Sequence, residues 1–289
     1  MKISDLRKVK GIGDKTIERI KDMVRKQQGD TYVSKYDRSI HLDINKIYQG
    51  DCLELMNGIP DKSIDMILCD LPYGTTACKW DTIIPFDKIW MQYKRIIKNR
   101  GAIVLFGSEP FSTKLRSSNL DWYKYDWKWD KKKGSNYASA KYMPLKNYED
   151  IMVFYKNTPT YNPAMRKGKM RNKKSYAKGG GLYGSLKSDG KDNYNDLYYP
   201  VAIIEFSNAS QKGKVHPTQK PVALFEYLIK TYTNEGELVL DNCIGSGTTA
   251  IACINTNRNY IGIELDENYY NIAKTRISEH INYKCKVGD

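Results

Sequence analysis

Two segments of this 289-residue chain place side chains that could do chemistry directly after a short apolar run. One run ends in the motif Asp70-Leu71-Pro72-Tyr73, and another ends in Asp241. A carboxylate at the end of a strand can accept hydrogen bonds from an amine or a hydroxyl group, and an aromatic ring beside it can stack on a flat heterocycle. These residues predict the binding of a small ligand and the activation of a polar group next to it.

The glycine turn after Asp241 leaves two ligand classes open. Gly245-x-Gly247-x-x-Ala250 matches the dinucleotide fingerprint, and Glu264 ends the next predicted strand, where an acid can accept hydrogen bonds from ribose hydroxyls. A nicotinamide-dependent oxidoreductase is therefore a competitor. Asp241 favours another ligand, because its carboxylate would repel a pyrophosphate and attract a cationic group, such as the amino acid portion of S-adenosylmethionine. A turn that serves packing alone is the third alternative.

The positive charge of the chain is concentrated in two segments. The formal net charge is +14, of which residues 1–28 carry +5 and residues 160–191 carry +8, so the rest of the chain is nearly neutral. Clustered positive charge predicts a polyanionic partner, above all nucleic acid. A solvated, solubilising surface is the alternative.

Composition excludes several classes of protein. Hydrophobic residues make up 40% and aromatic residues 12%, which predicts a packed core rather than a disordered chain. No apolar run approaches the ~20 residues of a membrane helix, and the N-terminus has no apolar signal region. We therefore expect a cytoplasmic protein. Six cysteines without a C-x-x-C pair and three histidines argue against a disulfide framework or a metal site.

The first 28 residues predict a helical hairpin. Its turn contains Gly11, Gly13 and Lys15, and glycines here expose backbone N–H groups at a helix N-terminus, where phosphate binds without base recognition. This segment resembles the helix-hairpin-helix motif, which implies contacts with the DNA backbone. An ordinary hairpin with a glycine turn is the alternative.

From residue 44 onward, short apolar strands alternate with helical segments. The pattern predicts an α/β fold with a doubly wound, mostly parallel sheet, whose functional residues lie at the carboxyl ends of the strands. A helix is expected over residues 85–99. Residues 157–200 lose hydrophobic periodicity and are rich in Lys, Gly, Asn and Tyr.

Four motifs in order resemble the DNA amino-methyltransferases, which modify adenine N6 or cytosine N4. Residues 70–73 resemble the family's Asp/Asn/Ser-Pro-Pro-Tyr/Phe, with Leu71 in place of the first proline. Residues 241–249 resemble Asp-Pro-Phe-x-Gly-Ser-Gly-Thr-Thr, with Asn242 and Cys243 in place of proline and phenylalanine. The segments 216–221 (HPTQKP) and 50–52 (GDC) also match. The catalytic motif precedes the cofactor motif, which is the β-type order, and the resemblance covers residues 44–280.

The resemblance implies a seven-stranded, Rossmann-like methyltransferase fold, S-adenosylmethionine as the cofactor and double-stranded DNA as the substrate. Asp70 and the carbonyl of Leu71 would accept hydrogen bonds from the target amine, Pro72 would keep Leu71 extended, and Tyr73 would stack on the flipped base. The residues expected around the cofactor are Asp51, Asp70, Asp241, Cys243, Gly245, Ser246, Gly247, Thr248, Thr249 and Glu264. An aspartate at the first motif position is typical of the adenine enzymes. A homodimer is an open expectation.

In this family, the interval after the last central strand holds the target-recognition region. Basic residues there are expected to neutralise phosphates: Arg166, Lys167, Lys169, Arg171, Lys173 and Lys174. Lys79 and Trp80 are expected in a loop that closes over the base, although core packing is an equal alternative for Trp80. The run 131–133 (KKK) borders the same cleft or is a solvated loop.

The sequence therefore divides into a DNA-backbone-binding segment (1–28), a linker (29–43), a catalytic half (44–156), a basic target-recognition region (157–205) and a cofactor-binding half (206–289). The function expected is DNA adenine-N6 methylation, with a restriction-modification or phage origin. The alternatives are cytosine-N4 methylation, a catalytically inactive DNA-binding protein of the same shape, prompted by Leu71, Asn242 and Cys243, and the nicotinamide oxidoreductase.

Overall fold

The computed structural model describes residues 41–75, 81–173, 193–207 and 219–287. Several residues singled out above lie outside these ranges: Gly11, Gly13, Lys15, Lys79, Trp80, Lys174 and His216. For Lys173, only the backbone is described.

The described part of the chain contains ten strands and six α-helices. The strands are β1 (Lys46–Gln49), β2 (Ile64–Cys69), β3 (Ile97–Gly107), β4 (Tyr123–Ser135), β5 (Lys146–Phe154), β6 (Arg166–Lys173), β7 (Asn193–Tyr198), β8 (Ile203–Glu205), β9 (Leu238–Asp241) and β10 (Asn259–Glu264). The helices are α1 (Cys52–Leu55), α2 (Phe86–Ile96), α3 (Phe111–Ser117), α4 (Val222–Tyr232), α5 (Thr248–Asn255) and α6 (Glu267–Val287).

Eight of the strands form one sheet in the order β1-β10-β9-β2-β3-β5-β4-β8. The strands from β1 to β3 pair in parallel, β5 pairs antiparallel with β3 and β4, and β8 pairs in parallel with β4. This confirms the predicted α/β class with a mostly parallel sheet. The number of strands differs from the expected seven, because the three-residue strand β8 adds an eighth at the edge.

The sheet is buried on both faces by helices. Met66 and Leu68 of β2 face one cluster with α4 and α5, whereas Ile67 and Cys69 face the other cluster with α2 and α3. Alternate residues of a strand point to opposite faces, so an apolar run without polar interruptions is what a strand covered on both sides requires. This burial fixes the direction of β2 and therefore the position of Asp70, which follows it.

Two local predictions differ from the structure. Helix α2 ends at Ile96 rather than Asn99, because Ile97 already pairs with Ile64 as the start of β3. Residues 157–200 were expected to be irregular, but β6 and β7 form an antiparallel two-stranded ribbon separate from the main sheet. Its side chains are mostly exposed, so no face is selected for apolar residues and no periodicity marks the strands. None of the helices in the described ranges is both long and apolar enough to cross a membrane.

Candidate active site

A cavity of about 540 Å³ lies where β2, β9 and β10 reach their carboxyl ends. This is the edge at which a doubly wound sheet binds ligands. All four residues of the motif 70–73 line it, together with nine of the ten residues expected around a cofactor. The predicted residues that line the cavity are Asp51, Asp70, Leu71, Pro72, Tyr73, Asp241, Cys243, Gly245, Ser246, Thr248, Thr249 and Glu264.

Two side chains donate hydrogen bonds to the carboxylate of Asp70. The Tyr73 hydroxyl donates to one carboxylate oxygen at 2.6 Å, and Lys220 Nζ donates to the other at 2.5 Å. The ring of Tyr73 stacks on Phe111, with 4.9 Å between the ring centroids. Burial raises the pKa of Asp70, and the ammonium of Lys220 opposes that shift. The carboxylate is therefore fixed in direction while its remaining lone pairs are available to a ligand in the cavity.

Lys220 belongs to a chain of four alternating charges. Its ammonium lies 3.2 Å from Glu149, and Glu149 accepts a hydrogen bond from Lys131 at 3.1 Å. Burial alone would lower the pKa of Lys220, but the carboxylates of Asp70 and Glu149 raise it. Burial alone would raise the pKa of Glu149, but Lys220 and Lys131 lower it. Two acidic and two basic side chains thus alternate beside the cavity, and each lowers the cost of burying its neighbour.

Asp241 has a different set of partners. In the described ranges these are neutral groups: the hydroxyl of Thr249, the backbone N–H of Cys243 at 3.1 Å and the thiol of Cys69. The side chain is buried, with 3% of its surface exposed. Burial raises the pKa of Asp241 to about 7, because these donors compensate only part of the lost hydration. The site is electrostatically suited to a ligand with a positive group.

The glycine turn is built around Glu264. Gly245 N–H donates to one carboxylate oxygen at 2.8 Å, and Asp266 N–H donates to the other at 2.9 Å. Gly245 has φ +55°, and a Cβ there would meet nothing within 4 Å, so this turn leaves space at the cavity wall. Burial raises the pKa of Glu264, although the amide donors oppose this.

Gly247 is the one predicted cofactor residue that does not line the cavity. Its φ is +85°, and a Cβ would lie 3.2 Å from Ile277 and 3.3 Å from Ala273 of α6. The glycine is therefore required by backbone conformation and by close helix packing rather than by ligand approach. Arg276 of the same helix donates to the carbonyl of Ser246 at 2.9 Å and to the hydroxyl of Thr248 at 3.2 Å, which holds the turn from behind.

Asp51 has a structural contact as well as a place in the cavity wall. Its carboxylate accepts a hydrogen bond from Leu53 N–H at 2.7 Å and so caps α1. After the catalytic motif, Gly74 and Thr75 donate their backbone N–H groups to the buried carboxylate of Asp81, at 2.8 and 2.9 Å. Asp81 therefore holds the backbone directly after the catalytic motif.

The basic residues of the ribbon divide into two groups. Arg166 donates to the carbonyl of Tyr199 at 3.2 Å, and Arg171 donates to the carbonyl of Leu197 at 2.7 Å while its guanidinium lies 4.0 Å from the ring centroid of Tyr198. These arginines brace the ribbon. The side chains of Lys167 and Lys169 are exposed.

No role was assigned from the sequence to several residues that contact the motif 70–73 or its neighbours. Lys220 is the fifth residue of the segment 216–221 but was not named individually, and Glu149, Phe111 and Asp81 carried no motif at all. Glu149 adjoins Asp150 directly before the apolar run 151–154, and Lys131 begins the run 131–133, so neither residue differs in type from its neighbours in the sequence. Their partners could be found only from the strand order, which brings β5 and the segment before α4 to the end of β2.

A protein-family model described as DNA methylase, of the N6/N4 methyltransferase type, matches residues 64–275, which is more than half of the chain. The chain belongs to this DNA methylase family. Membership confirms the resemblance drawn from the four motifs and replaces the nicotinamide alternative. S-adenosylmethionine is the methyl donor of such methylases, so the expected cofactor is confirmed with the family.

Curated relatives extend the similarity over most of the chain. The type II methyltransferase M.HpaI of Haemophilus parainfluenzae is 28% identical over 249 residues, which cover 81% of this chain and 74% of the relative. M1.MboII of Moraxella bovis is 27% identical, covering 80% of this chain and 96% of the relative. The DNA adenine methyltransferase YhdJ of Escherichia coli K12 is 26% identical, covering 83% and 85%.

Solved structures share the fold. The complex of M1.HpyAVI with S-adenosylmethionine superposes with a TM-score of 0.55 at 24% identity, covering 80% of this chain and 98% of that one. The cytosine-N4-specific PvuII DNA methyltransferase superposes with a TM-score of 0.58 at 15% identity, covering 84% and 93%.

The departures of this methylase from the family motif are accommodated by local contacts. Asn242 is buried and accepts a hydrogen bond from the Tyr93 hydroxyl at 2.5 Å, while its amide lies 3.6 Å from the sulfur of Cys52 and 3.5 Å from that of Cys243. The side chain of Leu71 is 4% exposed and packs with α2 and α3 in the core. Neither substitution obstructs the cavity.

Proposed function

We propose that this methylase transfers a methyl group from S-adenosylmethionine to the exocyclic N6 of an adenine flipped out of double-stranded DNA, within a specific sequence. The observation that carries the proposal is that one cavity contains both Asp70, beside a stacked tyrosine, and Asp241, an acid with neutral partners in the described ranges. The first suits an amine and the second suits a cationic ligand.

The cavity residues fit the cofactor at three points. The buried Asp241 complements an α-amino group, Glu264 has the position of a ribose acceptor, and Asp51 lies at the wall where an adenine amine would be held. When bound, S-adenosylmethionine supplies an electrophilic methyl group on a sulfonium. Cys243, Gly245, Ser246, Thr248 and Thr249 would enclose it, while Gly247 shapes the turn.

Asp70 and Tyr73 would act on the base. The N6 amine of adenine is a weak nucleophile because its lone pair conjugates with the ring. A hydrogen bond to Asp70, with a second to the carbonyl of Leu71, directs the lone pair out of the ring plane. The nitrogen would gain the methyl group while the bond between that methyl and the sulfonium sulfur breaks, with its electron pair left on sulfur. The nitrogen would then lose one proton, for which the Asp70 carboxylate is a nearby acceptor. Tyr73, supported by Phe111 on its ring, would stack on the base, and a stack contributes about 1–3 kcal/mol.

Adenine is proposed over cytosine because an aspartate occupies the first position of the motif. The similarity to a relative named as a DNA adenine methyltransferase supports the same choice. The fold similarity to a cytosine-N4-specific enzyme keeps cytosine N4 as the second candidate. Both reactions need the same acceptor geometry, so the choice depends on how the pocket holds the rest of the base.

The DNA contacts proposed here are electrostatic. Lys167 and Lys169, whose side chains are exposed on the ribbon, are proposed to contact phosphates, and Lys173 and Lys174 extend the same stretch of sequence. Gly11, Gly13 and Lys15 are proposed to bind the DNA backbone, and Lys79 and Trp80 to close over the base. The division of the chain into its five segments, and a homodimer, remain predictions.

Product analysis tests the proposal. The protein is incubated with S-adenosylmethionine carrying a labelled methyl group and unmethylated genomic DNA, and the digested nucleosides are identified by mass. We expect label in N6-methyl-deoxyadenosine and none with Asp70→Ala. Label in N4-methyl-deoxycytidine would overturn the choice of base alone. Cofactor binding without label on any DNA would overturn the enzymatic function and favour the inactive DNA-binding protein.

A further inference from the structure

The connection between β4 and β5 exposes an unusual number of apolar side chains. We call residues 136–145 the hairpin tip. Within it Tyr142 is 86% exposed, Tyr137 60% and Met143 53%, and Leu145 is also exposed. The surface of a soluble protein rarely groups large apolar residues in this way unless they contact a binding partner.

The hairpin tip projects from the same edge of the sheet as the cavity. Glu149 of β5 and Lys131 of β4 line the cavity, and beyond them the two strands continue together to the pair Ser135 and Lys146. From Lys131 to Ser135 the strand advances four residues, about 13 Å, so the tip begins beyond the cavity wall. The tip therefore lies on the same side of the sheet as the residues that line the cavity.

The charge of the hairpin identifies the partner. Residues 131–146 contain five lysines and no acidic residue. Lys131 is paired with Glu149, Lys132 with Glu205, and Lys146 lies 5.8 Å from the ring centroid of Tyr148. Lys133 precedes the apolar residues of the hairpin tip in the sequence, Lys141 lies between Tyr137 and Tyr142, and both lysines are exposed. Lysines around exposed aromatic and aliphatic side chains fit a polyanion whose bases can stack, which is DNA.

We propose that the hairpin tip enters the DNA beside the flipped base, with Tyr142 and Met143 in the space that the base has left and with Lys133 and Lys141 on the flanking phosphates. The proposal rests on the proposed function, because it assumes that a base occupies the cavity. Such insertion compensates the unstacking that base flipping requires, which costs a few kcal/mol.

The apolar part is tested with the double variant Tyr142→Ala/Met143→Ala and with Tyr142→Trp, which keeps a stacking ring. KM and kcat are measured with labelled methyl donor and unmethylated genomic DNA, and the Kd for the same DNA is measured by filter binding. We expect kcat/KM to fall about tenfold or more in the double variant and to remain near wild type with tryptophan. The Kd for S-adenosylmethionine should be unchanged. Tyr283→Ala serves as the control. Tyr283 lies near the C-terminal end of α6 and is 64% exposed, and the next residue, Lys284, donates a hydrogen bond to the carbonyl of Ile254 in α5.

The basic part is tested by salt dependence. Lys133→Ala/Lys141→Ala removes two phosphate contacts, so the slope of log Kd against log salt should fall by about 1.8, whereas Lys286→Ala on α6 should leave it unchanged. Equal slopes and wild-type kcat/KM in both double variants would overturn the proposal. So would a change of oligomeric state in sedimentation without a change in DNA binding, since the tip would then join two copies of the chain.

The two proposals fail differently. If wild-type protein labels cytosine, the tip variants still report on DNA insertion through kcat/KM. If wild-type protein labels no DNA, the proposed function fails, and the Kd and salt slope alone decide whether the tip contacts DNA.

Discussion

Asp70 follows β2 and Asp241 ends the neighbouring parallel strand β9, and both face the same cavity. The charges of the groups around the two carboxylates nevertheless differ. Asp70 is paired with the ammonium of Lys220 and with a phenol hydroxyl, and Glu149 continues the chain of charges. Asp241 is more deeply buried and, among the described residues, has only neutral donors.

The difference indicates which kind of group each carboxylate is suited to bind. The protein itself supplies the cation of Asp70, so this carboxylate is oriented and its charge is partly compensated before any ligand arrives. The pKa of Asp241 is raised to about 7, so near neutral pH it gains full charge only when a ligand brings a positive group. This difference supports our proposal that Asp70 serves the chemistry and Asp241 binds the cofactor.

The largest effect is expected from Asp70→Ala. Removing the acceptor should lower the rate of methyl transfer by about 10³-fold or more, because orientation of the amine and acceptance of its proton are lost together. Single-turnover transfer with labelled cofactor measures this rate. The Kd for S-adenosylmethionine should change much less, and a tenfold or larger change in that Kd would place Asp70 in the cofactor site instead.

Asp241→Asn should separate the two acids. The amide keeps the size of the side chain but loses the charge-assisted contact, which is worth about 1.5–3 kcal/mol, so the Kd for the cofactor should rise roughly 10- to 150-fold. At saturating cofactor, the rate of transfer should return to within a few fold of wild type. Calorimetry gives the Kd, and Thr113→Ala on the exposed surface of α3 serves as a control.

The pH dependence of cofactor binding gives a third test. In the protein without ligand, the pKa of Asp241 is about 7. Below that pH, protonation of the Asp241 carboxylate therefore competes with the binding of a cationic ligand. The affinity for S-adenosylmethionine should fall about tenfold per pH unit as the pH drops from 6.5 to 5, and it should level off above about 8. In Asp241→Asn this dependence should disappear. A wild-type affinity that does not vary between pH 5 and 8 would contradict the assignment of Asp241.

Lys220→Met should have a smaller, pH-dependent effect. Without the ammonium, Asp70 and Glu149 repel each other, the pKa of Asp70 rises further, and the acid limb of kcat/KM moves to higher pH. The loss should be about tenfold at pH 6 and a few fold at pH 8.5. Lys220→Arg should keep the wild-type profile, and Lys220→Met/Glu149→Gln should recover part of it. A uniform loss at every pH would show a structural role only.

The sequence predicted the parts of the site that are local in the chain. Asp70, Asp241 and the glycine turn each follow a buried strand, and an uninterrupted apolar run followed by an acid is visible without a structure. Lys220, Glu149 and Phe111 could not be assigned, because they come from three other segments that the order of strands brings next to the motif 70–73. Lys220 contacts Asp70, Glu149 contacts Lys220 and Phe111 stacks on Tyr73. The ribbon formed by β6 and β7 was missed for another reason, since strands exposed on both faces carry no alternation of apolar and polar residues.

The division of labour between the two acids is tested most directly by single-turnover methyl transfer to unmethylated genomic DNA, with Asp70→Ala and Asp241→Asn assayed side by side while S-adenosylmethionine is raised to saturation. We predict that added cofactor restores transfer in Asp241→Asn and leaves Asp70→Ala inactive. Equal failure of both variants at saturating cofactor, or recovery of Asp70→Ala, would contradict the assignment of chemistry to one acid and cofactor binding to the other.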